Sequence, residues 1–182
     1  MSEKLDQQAR EQQAHHNSVA KKVKNHQALN DDEIKYLCPV AFKRRMVKSE
    51  IAKLGLSKHY SFVPTTKVVD DLRSMGWECV DAKQVKARKR STNGYQKHML
   101  TFEHPDYKVD KLVNGVPEPA TEYPQLLLTN SHDGGNAFTL SAGIFRLVCS
   151  NGLVIKSEDY GDARLVHKGY SFDAVQKLVV DF

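Results

Sequence analysis

The sequence predicts an α+β domain, with an antiparallel sheet, helices packed on one face and a β-β-β-α unit. Strand-like segments at 96–103, 125–131 and 136–142 follow one another, the last two divided only by His132-Asp133-Gly134-Gly135. Helical spacing of apolar residues appears before them at 65–77 and after them at 143–152.

Residues 1–27 contain few large apolar side chains and no sustained amphipathic stripe, so a flexible arm or a loosely attached helix is expected. A single α+β domain is expected over 28–182. "LNDDEIKYLCP" reads as a short helix: Asn30 caps it, acidic residues fill its first turn, and Pro39 stops it. "HYSFVP" reads as a strand. "TTKVVDDLRSMGW" reads as a helix capped by Thr65 or Thr66, with Val68, Val69, Leu72 and Met75 on one face and Gly76 closing it. "WECVDAKQV" is the next strand, followed by a basic loop with a turn at Asn93-Gly94.

"QKHMLTFE" is a strand, and 104–124 is a long irregular connection in which a hairpin extension is allowed. "QLLLTNS" and "NAFTLSA" flank a turn in which Gly134 or Gly135 is expected at positive φ. In "GIFRLVCSNG", Ile144, Phe145 and Val148 fit a helical face that Asn151-Gly152 ends. "LVI" and "ARLVHK" are two short strands. "SFDAVQKLVVDF" is a helix with Phe172, Val175 and Leu178 inward; it reaches the chain end in stride, so the native protein is expected to continue past Phe182.

The chain has 182 residues, 40% hydrophobic, enough for one core of ordinary size. No run approaches the roughly 18 apolar residues of a membrane span, and the polar N-terminus does not read as a signal peptide. Three widely spaced cysteines, Cys38, Cys79 and Cys149, argue against a disulfide framework or zinc site and suit a reducing compartment. A cytoplasmic location is expected.

The formal charge of +5 matters less than its distribution. "KQVKARKRSTNGYQK" carries six cations and no carboxylate: Lys83, Lys86, Arg88, Lys89, Arg90 and Lys97. "FKRRMVKSEIAKLGLSKHY" carries six more against the single Glu50. Such blocks favour a polyanion, because each phosphate contact releases a condensed counterion. The plainer alternative is a solvated loop and a solvated helix face.

Ser131-His132-Asp133 invites comparison with a catalytic group, but neighbouring strand residues point to opposite faces and cannot form a triad alone. Cys149 is the nearest candidate nucleophile, and its apolar surroundings suit a small core residue better. Asp133 is most simply a turn former, while His132 either caps the turn or contacts a ligand. His98, His104, His132 and His167 lie on separate elements without metal-ligand spacing, and the tail histidines His15, His16 and His26 read as solvated. The GxxxxGK[ST] spacing of a phosphate loop is missing. Arg146, between Phe145 and Leu147, either pairs with a buried acid or points at an anion.

"LLLTNSHDGGNAFTLSAGIFRLVCSNGLV" resembles the signature of phage- and plasmid-related proteins of unknown function, roughly LLNSHDG followed by GIFR-x-VC-x-NGLV. "LNDDEI", "HYSFVPT", "VVDDLRSMGW", "YQKHML" and "VHKGY" recur there in the same order, so the resemblance spans about residues 28 to 170. The chain differs in a longer N-terminal arm, an insertion near 108–119 and a shorter C-terminus. The resemblance implies a mobile-element setting without an established activity. In architecture, three antiparallel strands and a helix are similar to the core of single-strand annealing recombinases, which form rings around a basic groove; that likeness implies a homo-oligomer.

The resulting expectation is a non-catalytic protein binding single-stranded DNA in recombination or replication, with no cofactor and no metal. Lys83, Lys86, Arg88, Lys89, Arg90 and Lys97 would meet phosphates and Tyr95 would stack on a base, with Arg146 and His132 as further contacts. The alternatives are an interaction factor acting on a host protein, and a Cys/His- or metal-dependent hydrolase centred on His132, Asp133 and Cys149.

Overall fold

The computed structural model describes residues 2–87, 89–107, 111–113, 116–118, 124–147, 154–165 and 171–180. An antiparallel five-stranded sheet forms its centre, in the order β1 (Glu78–Gln84), β2 (His98–Glu103), β5 (Gln125–Asn130), β6 (Phe138–Leu147) and β7 (Val154–Leu165). A separate two-stranded hairpin, β3 (Lys111–Val113) and β4 (Val116–Glu118), extends the long connection between β2 and β5. The helices are α1 (Ser2–Lys24), α2 (Asp31–Leu37), α3 (Lys48–Lys53), α4 (Thr65–Ser74) and α5 (Phe172–Val180). The chain is thus α+β, but its β-β-β-α unit is not the expected one of strands 96–103, 125–131 and 136–142 with a helix at 143–152: β5, β6 and β7 come first and α5 is the helix that follows in sequence.

One sheet face is apolar because alternate residues fall in register across strands. Phe102 faces Leu126, which faces Ala142; Leu100 faces Leu128, which faces Leu140. Cys79 and Ala82 of β1 complete that layer. Ile34 of α2, Val68, Val69 and Leu72 of α4, and Val175 and Val179 of α5 pack onto it, so the helices share this side. Even α1, exposed over most of its 23 residues, places Val19 in the core. Its far end is tied to α2 by a Lys22–Glu33 ion pair of 2.6 Å. On the opposite face Thr101, Leu127, Thr129, Thr139 and Ser141 are half-buried, while Met99, Glu103 and Gln125 are buried.

Local signals explain several boundaries. Asn30 accepts from the Glu33 N–H while the Glu33 carboxylate accepts from the Asn30 N–H, each at 2.9 Å, a reciprocal cap at the start of α2. Gly76 ends α4 at φ +87. Pro64, not a threonine side chain, stands at the start of α4, which frees the Thr65 hydroxyl for another partner.

Two expected elements differ. Residues 59–64 form no strand: the Val63 carbonyl accepts from the Asn130 side chain at 3.1 Å, and Pro64 has no N–H to give a ladder. Residues 143–147, expected to open a helix, continue β6 and pair with 154–159 of β7. Arg146 therefore lies on a strand opposite Ile155. The segments read as "LVI" and "ARLVHK" are joined in the one long strand β7 within 154–165. Cys149, Arg88 and His167 lie outside the described residues.

Candidate functional site

Sheet register brings together the two stretches that stand out in the sequence. His98, the first residue of β2, pairs with Asn130, the last of β5. The β1–β2 connection, which holds the basic block, therefore leaves the sheet at the same end as the β5–β6 connection, which holds Ser131-His132-Asp133. The His132 N–H donates to the Tyr95 carbonyl at 2.8 Å and joins the two loops directly.

Between them lies a cleft of about 1050 Å³, lined among others by Lys86, Lys89, Gln96, Lys97, Asp133 and Asn136. Lys86 and Lys89 are exposed, Lys97 is half-buried, and among the described residues none of the three forms an ion pair. Asp133 is the one carboxylate among the described lining residues, and its Oδ1 accepts from the Gly135 N–H at 2.9 Å.

The walls are set by backbone and amide hydrogen bonds. The Val85 N–H donates to the Lys97 carbonyl at 3.0 Å, extending the β1–β2 ladder past the last paired residues. Gln96 Oε1 accepts from the N–H groups of Gly94 and Tyr95, at 2.7 and 3.1 Å, folding the loop around its own side chain. Gly94 has φ +87, which a left-handed turn requires. On the other wall the Ser131 hydroxyl donates to the Asn136 carbonyl at 3.2 Å and accepts from the Asn136 N–H at 2.9 Å. Gly134 takes φ +74, as expected, but the turn spans 131–137 instead of being a tight hairpin.

Beneath the cleft runs a buried polar chain with one direction. Asn130 Nδ2 donates to Thr65 Oγ1 at 3.1 Å. Thr65 Oγ1 lies 2.8 Å from His98 Nε2, and His98 Nδ1 lies 3.1 Å from the Gln96 carbonyl. A carbonyl only accepts, so Nδ1 carries the imidazole proton and Nε2 accepts from the Thr65 hydroxyl. Burial pulls the His98 pKa down to about 4, although its bond to the Gln96 carbonyl opposes this. The ring is therefore neutral at pH 7. Burial, with the Asp133 charge adding to it, pushes Tyr60 up to about 12.

The remaining expected contacts are dispersed. His132 is wholly buried, its ring centroid 4.6 Å from Phe62 and 5.0 Å from His98, so it supports the cleft from below. Lys83 is in an ion pair with Asp81 at 2.5 Å on β1, beside the cleft. Arg90 is exposed on the short turn that follows Lys89. Tyr95 donates its hydroxyl to Glu50 at 2.5 Å, and Lys43 Nζ sits 4.2 Å above its ring. Sequence reading missed Gln96, Thr65 and Asn130; a glutamine and an asparagine bracketing strand ends were the available signal.

Serine, histidine and aspartate here do not make a catalytic group. The serine hydroxyl is held at Asn136, and the histidine ring faces Phe62 and His98. Cys38 and Cys79 are buried, and burial pushes both thiols up, Cys38 to about 12. Among the described residues, no three His, Cys, Asp or Glu side chains gather in metal-binding fashion, and no helix is long and apolar enough to cross a membrane.

Residues 55–180 match the model of a family described as "Domain of unknown function (DUF932)". The chain is 29% identical over 161 residues to UPF0380 protein YafZ and, equally, to UPF0380 protein YfjQ, both of Escherichia coli strain K12. Each alignment covers 88% of this chain and 52% of the relative, so the chain spans about half the length of the curated relatives it matches. No solved structure matches.

Proposed function

The chain belongs to the DUF932 family, and for this member of it we propose a non-catalytic role: binding nucleic acid, single-stranded DNA by preference, in the cleft between the basic loop and the 131–136 loop. One observation carries the reading. Lys86, Lys89 and Lys97 stand around a single cleft whose walls are held by hydrogen bonds, with one carboxylate against them. Three ammonium groups so placed attract a chain of phosphates and carry no base code.

The preference for single strands is part of the proposal: at about 1050 Å³ the cleft is as large as the upper range of small-ligand sites, roughly 300–1,000 Å³, and has room for a few nucleotides. Tyr95, engaged with Glu50 and Lys43, is assigned a bracing role. Lys83, Arg88 and Arg90 remain candidate flanking contacts, whereas Arg146 lies beyond the far end of the β5–β6 ladder, past the Gln125–Gly143 pair, and is dropped from the interface. The proposal carries with it the mobile-element setting, with assistance to recombination or replication.

Fluorescence anisotropy with labelled single- and double-stranded oligonucleotides across a salt series tests the reading. Wild type is expected to bind the single strand more tightly, with affinity falling steeply as salt rises. Replacing Lys86, Lys89 and Lys97 together by Ala is expected to reduce the salt slope by about 2, at about 0.7 per phosphate contact on single strands. Equal binding by wild type and variant, or no binding at low salt, overturns the reading and favours an acidic protein surface as the partner of these loops.

A further inference from the structure

We propose that the second basic block, residues 43–58, which packs against the loops bordering the cleft, extends the cleft's basic surface outward, so that one strand is gripped by both blocks at once. This rests on the reading of the cleft as a nucleic-acid site.

Glu50 is the single carboxylate in that block, and a free carboxylate there would repel phosphate. It is not free. Its Oε1 accepts from Lys43 Nζ at 2.9 Å and from the Tyr95 hydroxyl at 2.5 Å; its Oε2 accepts from the Val47 N–H at 2.8 Å, closing the start of α3. Those bonds, that from Tyr95 foremost, hold the carboxyl down at about 2, so it stays ionised and occupied.

Tyr95 belongs to the first basic block, so Glu50 stitches one block to the other. Lys43 reinforces the joint by lying over the Tyr95 ring. Farther along, Leu56 occupies the space that a Cβ on Gly134 would take, so this end of the segment rests on the loop lining the cleft's other wall. Helix α3 itself buries no residue, which leaves these contacts to position it.

Four cations of the block are then available to a ligand. Arg45, Lys48, Lys53 and Lys58 are exposed, and among the described residues none is in an ion pair. Arg44 is set aside because it lines a separate recess with Asp31 and Asp70.

The experiment compares four proteins on a labelled oligothymidylate over a salt series: wild type, Arg45→Ala/Lys48→Ala/Lys53→Ala, Lys86→Ala/Lys89→Ala/Lys97→Ala, and Tyr95→Phe. Replacing the second-block cations is expected to weaken binding about tenfold or more at low salt and to lower the salt slope by about 2, which a structural effect alone would not do. Tyr95→Phe keeps the ring and every charge, and loosening the joint is expected to weaken binding several-fold. Should the triple variant unfold, Lys48→Glu alone is expected to weaken binding in the same salt-dependent way. If the second-block variants keep wild-type affinity and slope while the first-block variant loses both, the inference is overturned and the cleft reading stands. If wild type shows no salt-dependent binding, both fall.

Discussion

His98 is neutral because it is buried in a chain of hydrogen bonds that runs one way, and that has a measurable cost in acid. The unfolded side chain takes a proton near 6.5, whereas the folded ring does so at about 4. Between those values the unfolded state binds more protons, so this contribution to stability is whole above pH 6.5 and declines as pH falls to 4. The difference corresponds to about 3 kcal/mol. Urea unfolding at several pH values is expected to show this slope in wild type and to show it reduced in His98→Gln; identical slopes would count against the buried neutral imidazole.

Gly134 makes a second residue-scale case. Gly134→Ala would carry a Cβ at φ +74 and push Leu56 aside, at an expected cost of about 1–3 kcal/mol in chemical denaturation. Gly94 has open space at its Cβ, so Gly94→Ala is expected to cost less, about 1 kcal/mol. Equal costs would remove Leu56 from the account. For the thiols, peptide mapping after brief alkylation of the native protein is expected to find Cys38 and Cys79 unlabelled.

At the scale of elements, local chemistry made some structure legible and tertiary pairing hid the rest. Helix α2 was legible because Asn30 and Glu33 cap each other; Asn30→Ala is expected to lower stability by about 1 kcal/mol, measured by thermal unfolding. Helices α4 and α5 were legible from helical apolar spacing, α4 also from the closing Gly76, and β2 and β5 were legible as strand-like segments. The second half of β6 was not. Its ladder with β7 shifts register at Ala142/Gly143 and again at Ile144/Phe145. The extra residue of each shift, Tyr160 and Ser157, lies on β7, so β6 itself runs on without a bulge, and the adjacent apolar Ile144 and Phe145 resembled part of a helical face only as sequence. Antiparallel pairing with the following strand β7 overrode that local pattern. In 59–64, the aromatic and β-branched residues suited a strand, but the Asn130 side chain takes the carbonyl that a ladder would need.

For the whole molecule, the helices on one sheet face fix the ends of the strands, and the strand ends gather the loops. Leu72, wholly buried between α4 and the sheet, is central to that packing; Leu72→Ala is expected to cost about 2–5 kcal/mol in urea unfolding. The basic block and the Ser-His-Asp turn were each visible in the sequence, yet their meeting was not. It follows from β2 pairing with β5 across the long 104–124 connection, a contact that no local pattern encodes. The same pairing explains why His132, read as a turn cap or ligand contact, is instead buried under the cleft while the lysines border it.

The most direct test is to map where a strand lies. A photoreactive oligothymidylate is cross-linked to the wild-type protein, and the attached peptides are identified by mass spectrometry. Cross-links are expected within 85–97 and 131–136, with further ones in 43–58 if the second block contributes, and competition with unlabelled single strand should remove them. Cross-links confined to the opposite sheet face, in peptides carrying Thr101, Leu127 or Thr129, or none that unlabelled strand removes, would contradict the cleft as the binding site.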